Sequence, residues 1–390
     1  MQPKSRGAMP RRDTKKILFL SNDCDYFLSH RLPVAVACRE NGYDVHVAGP
    51  ASSSAGNITS HGFTYHSISM SGRISDPWQE FTTLREMVRL FNALRPDLVH
   101  AVAIKSVLFG SIAARLARVP ALVNAVTGLG YLFISESLKA RVVRSIALRG
   151  FRFGFRHGNC RVLFQNRDDS DLFTGSGVVS PDKVTIIRGS GVDVDLYAPH
   201  DMSGEPPIVV LPSRMLWDKG VGEFVEAAAI LKKEGWHARF VLVGDSYLSN
   251  PASIAREKLA QWDASGVVEW WGQQNKMHEI FRQAHIVCLP SYREGLPKAL
   301  IEAAACGRPI VTTDVPGCRE VVIDGVNGFL VPVKDAKSLA AKLKLLISDP
   351  GLCKRMGANG RELAEGEFAV KRIVSETLRC YEELFKCRQS

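Results

Sequence analysis

Twice along this chain, short apolar runs alternate with amphipathic stretches of helical period, and this repeated alternation constrains the fold more than any single residue. Residues 16–20, 44–48 and 98–102 read as strands, with helical patterns over 28–40 and 78–94 between them. Strands that alternate with helices in this way form a parallel sheet, and the helices serve as crossovers. The pattern stops at 196–207, where three prolines and a glycine predict a linker, and then restarts. Strands are expected at 208–211, 238–243 and 267–270, with helices at 221–233 and 251–265. The expected class is therefore α/β, with two doubly wound domains whose ligands bind beyond the carboxyl ends of the strands.

At 390 residues and 46 % hydrophobic content the chain can fill two cores. No window of about eighteen uncharged apolar residues exists, so no membrane-spanning helix is expected. The basic N-terminus lacks a signal-peptide cleavage pattern, and 17–20 is too short to be anything but a strand. A cytoplasmic protein is expected. The nine cysteines have no C-x-x-C spacing, which predicts free thiols rather than disulfides or a zinc site.

The formal charge of +10 is concentrated in two places. Lys4, Arg6, Arg11, Arg12, Lys15 and Lys16 face only Asp13, and 1–15 is expected to be a disordered basic tail. The second cluster, 136–157, sets Lys139, Arg141, Arg144, Arg149, Arg152 and Arg156 against Glu136, with Ile146, Phe151, Phe153 and Phe155 interleaved. No nucleic-acid-binding signature accompanies them, so nucleic acid is not an expected partner. An anionic membrane surface suits this mixture of arginine and apolar side chains, at roughly 1 kcal/mol per basic residue near the leaflet. An amphipathic helix packing its apolar face into the core fits the same pattern, and both readings can hold together.

The chemistry-bearing residues gather at 291–302, SYREGLPKALIE, where Glu294 and Glu302 flank the start of an expected helix. The strand 286–289 precedes it, Pro297 suits a first helical turn and Gly307 a C-terminal cap. The unpaired N–H groups near Gly295, Leu296, Pro297 and Lys298, with the positive dipole end, favour a phosphate or a developing anion. Arg214 and Lys219 follow the strand 208–211 on a loop leading into a helix, where cations neutralise a diphosphate.

These strings resemble the glycosyltransferases of family 4, which have the GT-B architecture and an E-x7-E motif. Residues 213–220 (SRMLWDKG) are similar to that family's phosphate-binding segment, 241–244 (VLVG) to the strand that follows, and 317–320 (GCRE) to a later loop. Lys105-Ser106, Phe109-Gly110 and Gly128-Leu-Gly130 resemble the N-terminal halves of bacterial members that extend undecaprenyl-diphosphate-linked glycans, including the N-acetylgalactosaminyltransferases acting on lipid-linked bacillosamine. The likeness covers almost the whole chain.

The resemblance implies two Rossmann-like domains facing a cleft. An N-terminal acceptor-side domain would span 16–195, a linker 196–207 and a C-terminal nucleotide-sugar domain 208–367, with 368–390 crossing back onto the N-terminal domain. It further implies that Glu294 lies beside the donor sugar, that Glu302 holds the nucleotide ribose, and that Arg214 and Lys219 clamp the diphosphate. Gly272 and Gln273 resemble the segment whose backbone meets the base, and Arg188 is a second candidate for the donor wall. His100, Lys105, Gly128, Gly130 and Arg31 fall on the acceptor or sugar side, although a histidine like His100 also serves as a satisfied core residue.

Asp23-Cys24-Asp25 and Asp193-Val194-Asp195 have the D-x-D form that holds a metal in another glycosyltransferase fold, but GT-B members are metal-independent, so no metal and no cofactor are expected. The first strand lacks the glycines of a dinucleotide fingerprint, which argues against a dehydrogenase. The implied activity is transfer, with retention, of a hexose or N-acetylhexosamine from a UDP-sugar to an undecaprenyl-diphosphate-linked saccharide, at the cytoplasmic face of the plasma membrane. A family 4 enzyme acting on a small or phosphorylated acceptor, or a non-catalytic sugar-nucleotide-binding subunit, are the alternatives.

Overall fold

A computed structural model describes residues 14–70, 76–129, 138–201, 204–247 and 250–387. The expected disordered tail and Gly130 therefore fall outside the described residues, apart from residues 14 and 15 of the tail. The first sheet contains β1 (Lys16–Ser21), β2 (Asp44–Gly49), β3 (Thr64–Ser67), β4 (Leu98–Val102), β5 (Ala121–Val126), β6 (Cys160–Phe164) and β7 (Val184–Ile186), in the order β3-β2-β1-β4-β5-β6-β7. The second contains β8 (Ile208–Pro212), β9 (Arg239–Val243), β10 (Glu269–Trp270), β11 (Ile286–Leu289), β12 (Ile310–Thr313) and β13 (Gly328–Val331), in the order β10-β9-β8-β11-β12-β13. The pairings β1 to β2 and β4, and β8 to β9 and β11, are parallel. In each sheet the strand order reverses once, beside β1 and β4 in the first and beside β8 and β11 in the second. Those two places are where a doubly wound sheet opens a crevice for ligand.

The central strands β4, β5, β8, β11 and β12 are buried along their whole length, as strands covered on both faces must be. Two apolar clusters cover the two faces of the second sheet, one around Phe224, Phe240 and Leu343, the other around Phe281, Ile301 and Phe368.

Two local expectations change. The helix expected over 28–40 is two helices, Cys24–His30 and Leu32–Glu40. Pro33 has no N–H to donate to the Ser29 carbonyl four residues back and its ring crowds that carbonyl, so the chain breaks at Arg31 and restarts with proline in the first turn. The helix expected over 251–265 is only Arg256–Ala264, because 251–255 is held in turns that bridge Ser253 to Leu216.

The chain divides into two compact units, and their limits differ from the expected ones. Unit 1 holds residues 1–125, 146–162 and 377–390; unit 2 holds 126–145 and 163–376. Residues 163–195, expected with the N-terminal domain, group with unit 2 because the helix Arg167–Gly175 is tied to it: Arg293 pairs with Asp169, and Arg319 reaches Asp168 at 3.5 Å. Neither unit has a limit within the expected linker 196–207. The last helix, Val370–Lys386, is amphipathic, and its end belongs to unit 1, where Tyr381 meets His100, Phe385 stacks on Tyr43 and the Leu384 carbonyl accepts from Asn159 at 2.9 Å.

The basic segment forms the helix Leu138–Phe155. Phe151 and Phe155 are buried, and Gly150 and Gly154 lie so close to Leu108 and Ser111 that a Cβ at either would clash. The other side leaves Ile146 61 % and Phe153 41 % exposed, with Arg149 and Arg156 in solvent beside them and the Arg115 guanidinium 4.4 Å over the Phe153 ring. One face thus fills the core and the other stays apolar and basic. No helix of the described residues is long and apolar enough to cross a membrane.

Candidate active site

The crevice of unit 2 is built from the loops that leave β8 and β11. These strands are hydrogen-bonded neighbours, so the two loops start about 5 Å apart. The Tyr292 N–H donates to the Asp218 carbonyl at 2.9 Å. Gly220, at φ +72°, passes so near Pro290 that a Cβ would lie 2.1 Å from its carbonyl oxygen, so only glycine fits. Held this way, Lys219 Nζ meets Glu294 Oε1 at 2.5 Å, and Ser291 Oγ donates to the same oxygen at 2.7 Å. The two side chains are 17 % and 13 % exposed. Glu294 Oε2 has no partner among the described residues, nor do two of the three Lys219 donors. The pair is preorganised yet keeps capacity for a ligand: an acceptor for a hydroxyl and donors for an anion.

The residues on either side of Glu294 are fixed by contacts that the motif does not reveal. Arg293 pairs with the buried Asp169 carboxylate. Asn166 caps the helix Arg167–Gly175 by accepting the Asp169 N–H at 2.7 Å, and its Nδ2 donates to the Gly295 carbonyl at 2.6 Å. A Cβ on Gly295 would meet the Thr127 carbonyl at 2.1 Å and the Gly128 Cα at 2.9 Å, so Gly128 packs directly on the residue that follows Glu294. Asn166→Ala should cost about 1 to 2 kcal/mol in denaturant unfolding through the lost cap and bond. Turnover should fall by more than the folded fraction does, because the Glu294 loop loses a tether. Unchanged specific activity in folded variant would show that the tether does not matter.

Pro297 is the N-cap of the helix Lys298–Ala305, so Glu302 lies just over one turn in. The helix starts late because residues 290–296 are bound into the loop contacts above. Glu302 is buried, 3.5 Å from Lys298, with a hydrogen bond from Tyr197. Burial raises its carboxyl above the ordinary range, and Lys298 and Tyr197 oppose that only in part. An acid whose folded pKa is raised stabilises the fold least when ionised, so stability should decline as pH rises through the raised value. Glu302→Gln should therefore melt on the order of 2–4 °C above wild type near neutral pH, with the gap closing near pH 4. A lower melting temperature at every pH would mean that the ionised carboxylate is net stabilising.

The remaining expected residues fall into three groups. Arg214 is exposed, lies 4.9 Å over the Tyr247 ring and has no carboxylate partner among the described residues. Leu296 is buried, where it packs against Gly189, and Arg188 is engaged by Glu320 at 3.1 Å and Glu367 at 3.7 Å. The Gly272 carbonyl accepts the Gly244 N–H at 2.8 Å, and Gln273 beside it is exposed.

In unit 1 the acceptor-side expectations are corrected. His100 is 0 % exposed, packed on Phe19 and bonded through Nδ1 to the Tyr381 hydroxyl, and burial with nearby Arg31 keeps its imidazole neutral well below the usual range. Arg31 is buried in the same core. Lys105 is buried against Glu80 at 2.7 Å. None of the three is presented to a ligand, because a central strand and the helices beside it turn these side chains inward.

Both D-x-D triplets serve the backbone: Asp23 caps Tyr26 at 3.0 Å, and Asp193 accepts from Asp195 at 3.0 Å and Leu196 at 3.1 Å. Eight cysteines are buried, and burial lifts the Cys38 and Cys306 thiols to about 12, far from nucleophilic use at neutral pH. Ser291, Asn166, Asp169 and Tyr197 were not expected at the site. Only Asn166 carried a sequence signal, a capping asparagine three residues before an aspartate.

Comparison with known proteins adds the family. Residues 16–156 match the model "Glycosyl transferase 4-like" and 197–363 match "Glycosyl transferases group 1". The chain is 28 % identical over 384 residues to the N,N'-diacetylbacillosaminyl-diphospho-undecaprenol alpha-1,3-N-acetylgalactosaminyltransferase of Campylobacter jejuni, covering 95 % of this chain and 99 % of that one. It is 26 % identical to the UDP-Gal:alpha-D-GlcNAc-diphosphoundecaprenol alpha-1,3-galactosyltransferase of Escherichia coli, over 76 % and 78 % of the two chains. Among solved structures, HepE of Anabaena in complex with UDP-glucose shares the fold with a TM-score of 0.75 at 21 % identity, over 93 % and 99 % of the chains. With two doubly wound parallel sheets and matches to both family models across most of its length, this chain belongs to the GT-B glycosyltransferases of family 4.

Proposed function

We propose that this glycosyltransferase moves a hexose or N-acetylhexosamine, with retention of α configuration, from a UDP-sugar to an undecaprenyl-diphosphate-linked saccharide. The observation that carries the reading is the Lys219–Glu294 pair at the unit 2 crevice, with Arg214 on the same loop as Lys219. The names of the Campylobacter jejuni and Escherichia coli relatives support the lipid-linked acceptor, and the second supports a UDP donor.

In the proposed mechanism the bond between the sugar C1 and the diphosphate oxygen breaks as the acceptor oxygen bonds to C1 on the same face. The acceptor proton passes to the departing phosphate oxygen, giving UDP. Lys219 and Arg214 hold the charge that grows on the leaving diphosphate, with no metal ion or cofactor required. Glu294 Oε2 accepts a sugar hydroxyl and favours positive charge at C1, while Glu302 receives the ribose. UDP release with a panel of UDP-sugars tests the donor, and the anomeric coupling of the product tests retention. A β product would overturn the mechanism.

The enzyme is further proposed to work at an anionic membrane surface on the cytoplasmic side, touching it through the exposed face of the helix Leu138–Phe155. Ile146 and Phe153 flanked by Arg149 and Arg156 support this, since shallow apolar insertion and attraction to acidic headgroups act together. Flotation with vesicles containing anionic lipid should carry the protein upward, and 0.5 M salt should release much of it. A protein that stays at the bottom in low salt would leave the second face as ordinary solvent-exposed surface.

A further inference from the structure

Unit 1 contains an open pocket of about 740 Å³ that none of the expected site residues lines. It lies where two neighbouring parallel strands end: Pro50 directly follows β2, Ile68 directly follows β3, and both form its wall. β2 is next to β1, which borders the unit 1 crevice, so the ends of β2 and β3 are one and two strand spacings from it, about 5 and 10 Å.

The helix Pro77–Leu94 contributes Gln79, Glu86 and Arg89. Glu86 is held in place because its Oε2 accepts the Ser69 N–H at 2.6 Å, while Oε1 has no partner among the described residues. Arg89 is exposed and no carboxylate among the described residues pairs with it. His66 is half-buried and fixed through Nε2, 3.0 Å from His46 Nδ1, which leaves its Nδ1 available.

Among the described residues, one carboxylate, one guanidinium, an imidazole and an amide line the pocket, and their formal charges sum to near zero. A nucleotide diphosphate would face Glu86 with Arg89 as the single cation among the described lining residues to offset it. A lipid chain would bury Glu86 Oε1 and the Arg89 guanidinium with nothing to satisfy them, which is costly. Vicinal hydroxyls of a sugar satisfy both, since a hydroxyl can donate to Glu86 Oε1 and hydroxyl oxygens can accept from the forked N–H groups of Arg89. We propose that this pocket binds saccharide units of the acceptor adjacent to the one being glycosylated. The proposal rests on the reading that the acceptor is a saccharide.

The test uses Arg89→Ala and Glu86→Gln, which alter an exposed side chain and the charge of a half-buried one whose bond to Ser69 glutamine can keep. Each should raise the acceptor KM about tenfold, or 1.4 kcal/mol, and leave the UDP-sugar KM unchanged. In parallel, saturation-transfer NMR with a lipid-free N-acetylhexosamine disaccharide, without donor, should show binding to wild type that both variants lose. No binding to wild type, or equal binding to all three proteins, overturns the assignment. A wild-type protein that binds the disaccharide but transfers to no acceptor would instead overturn the proposed reaction, so the two failures are distinguishable.

Discussion

Lys219→Ala is expected to lower kcat by about 10²- to 10³-fold, equivalent to roughly 2.7 to 4 kcal/mol, the range measured when one preorganised charge donor is removed from a developing anion. Lys219 is three-quarters or more shielded from water, and its ammonium is positioned by Glu294 and by a loop that bonds to the neighbouring one through Asp218 and Tyr292. That arrangement needs no reorganisation when charge grows on the diphosphate. Alanine removes the cation and also leaves Glu294 unneutralised where the phosphate departs, so two unfavourable changes coincide. Arg214→Ala should do less, because an exposed guanidinium stacked on Tyr247 is screened by solvent. The double variant should fall short of the product of the singles, since both act on one leaving group. Single-turnover kinetics on folded protein checks the size of the effect. Unchanged turnover in Lys219→Ala would remove that residue from the mechanism.

Glu294→Gln is expected to reduce kcat by at least about 10²-fold while UDP affinity stays within about tenfold of wild type. Glutamine keeps the shape and can still accept from Ser291, so the fold should be little affected. What disappears is the negative charge beside C1 and the ionic hold on Lys219. Those terms act when positive charge builds on the sugar, so they are larger in the transition state than for bound UDP. Equal losses in kcat and in UDP binding, read by kinetics and calorimetry, would mean that Glu294 is a binding residue and not a catalytic one.

Alternation of buried strands and helices made both doubly wound sheets legible in the sequence, because a strand covered on both faces has to be apolar throughout. Strand 208–211 and helix 221–233 fall within a residue of their observed limits for that reason. The Arg31 break was not anticipated, since an apolar helical period continues through a proline that backbone chemistry does not permit mid-helix. Glu294 and Lys219 were legible as a local motif. Their tethers were not: Asn166 and Asp169 lie more than 120 residues from the loop they hold, and no local pattern encodes that proximity. His100, Lys105 and Arg31 show the opposite error. Polar residues near a strand end read as ligands from sequence, but here each is consumed or enclosed by the core, His100 by Tyr381 and Lys105 by Glu80.

The central claim is sugar transfer to a lipid-diphosphate-linked saccharide. Mass spectrometry of the purified protein with a panel of UDP-sugars, undecaprenyl-diphosphate-linked acceptors and free sugar phosphates tests it most directly. The account predicts that one UDP-sugar adds the mass of a single hexose or N-acetylhexosamine to a lipid-linked acceptor, and that the gain disappears in Lys219→Ala. Transfer confined to the soluble sugar phosphates, or no transfer from any UDP-sugar, would contradict it.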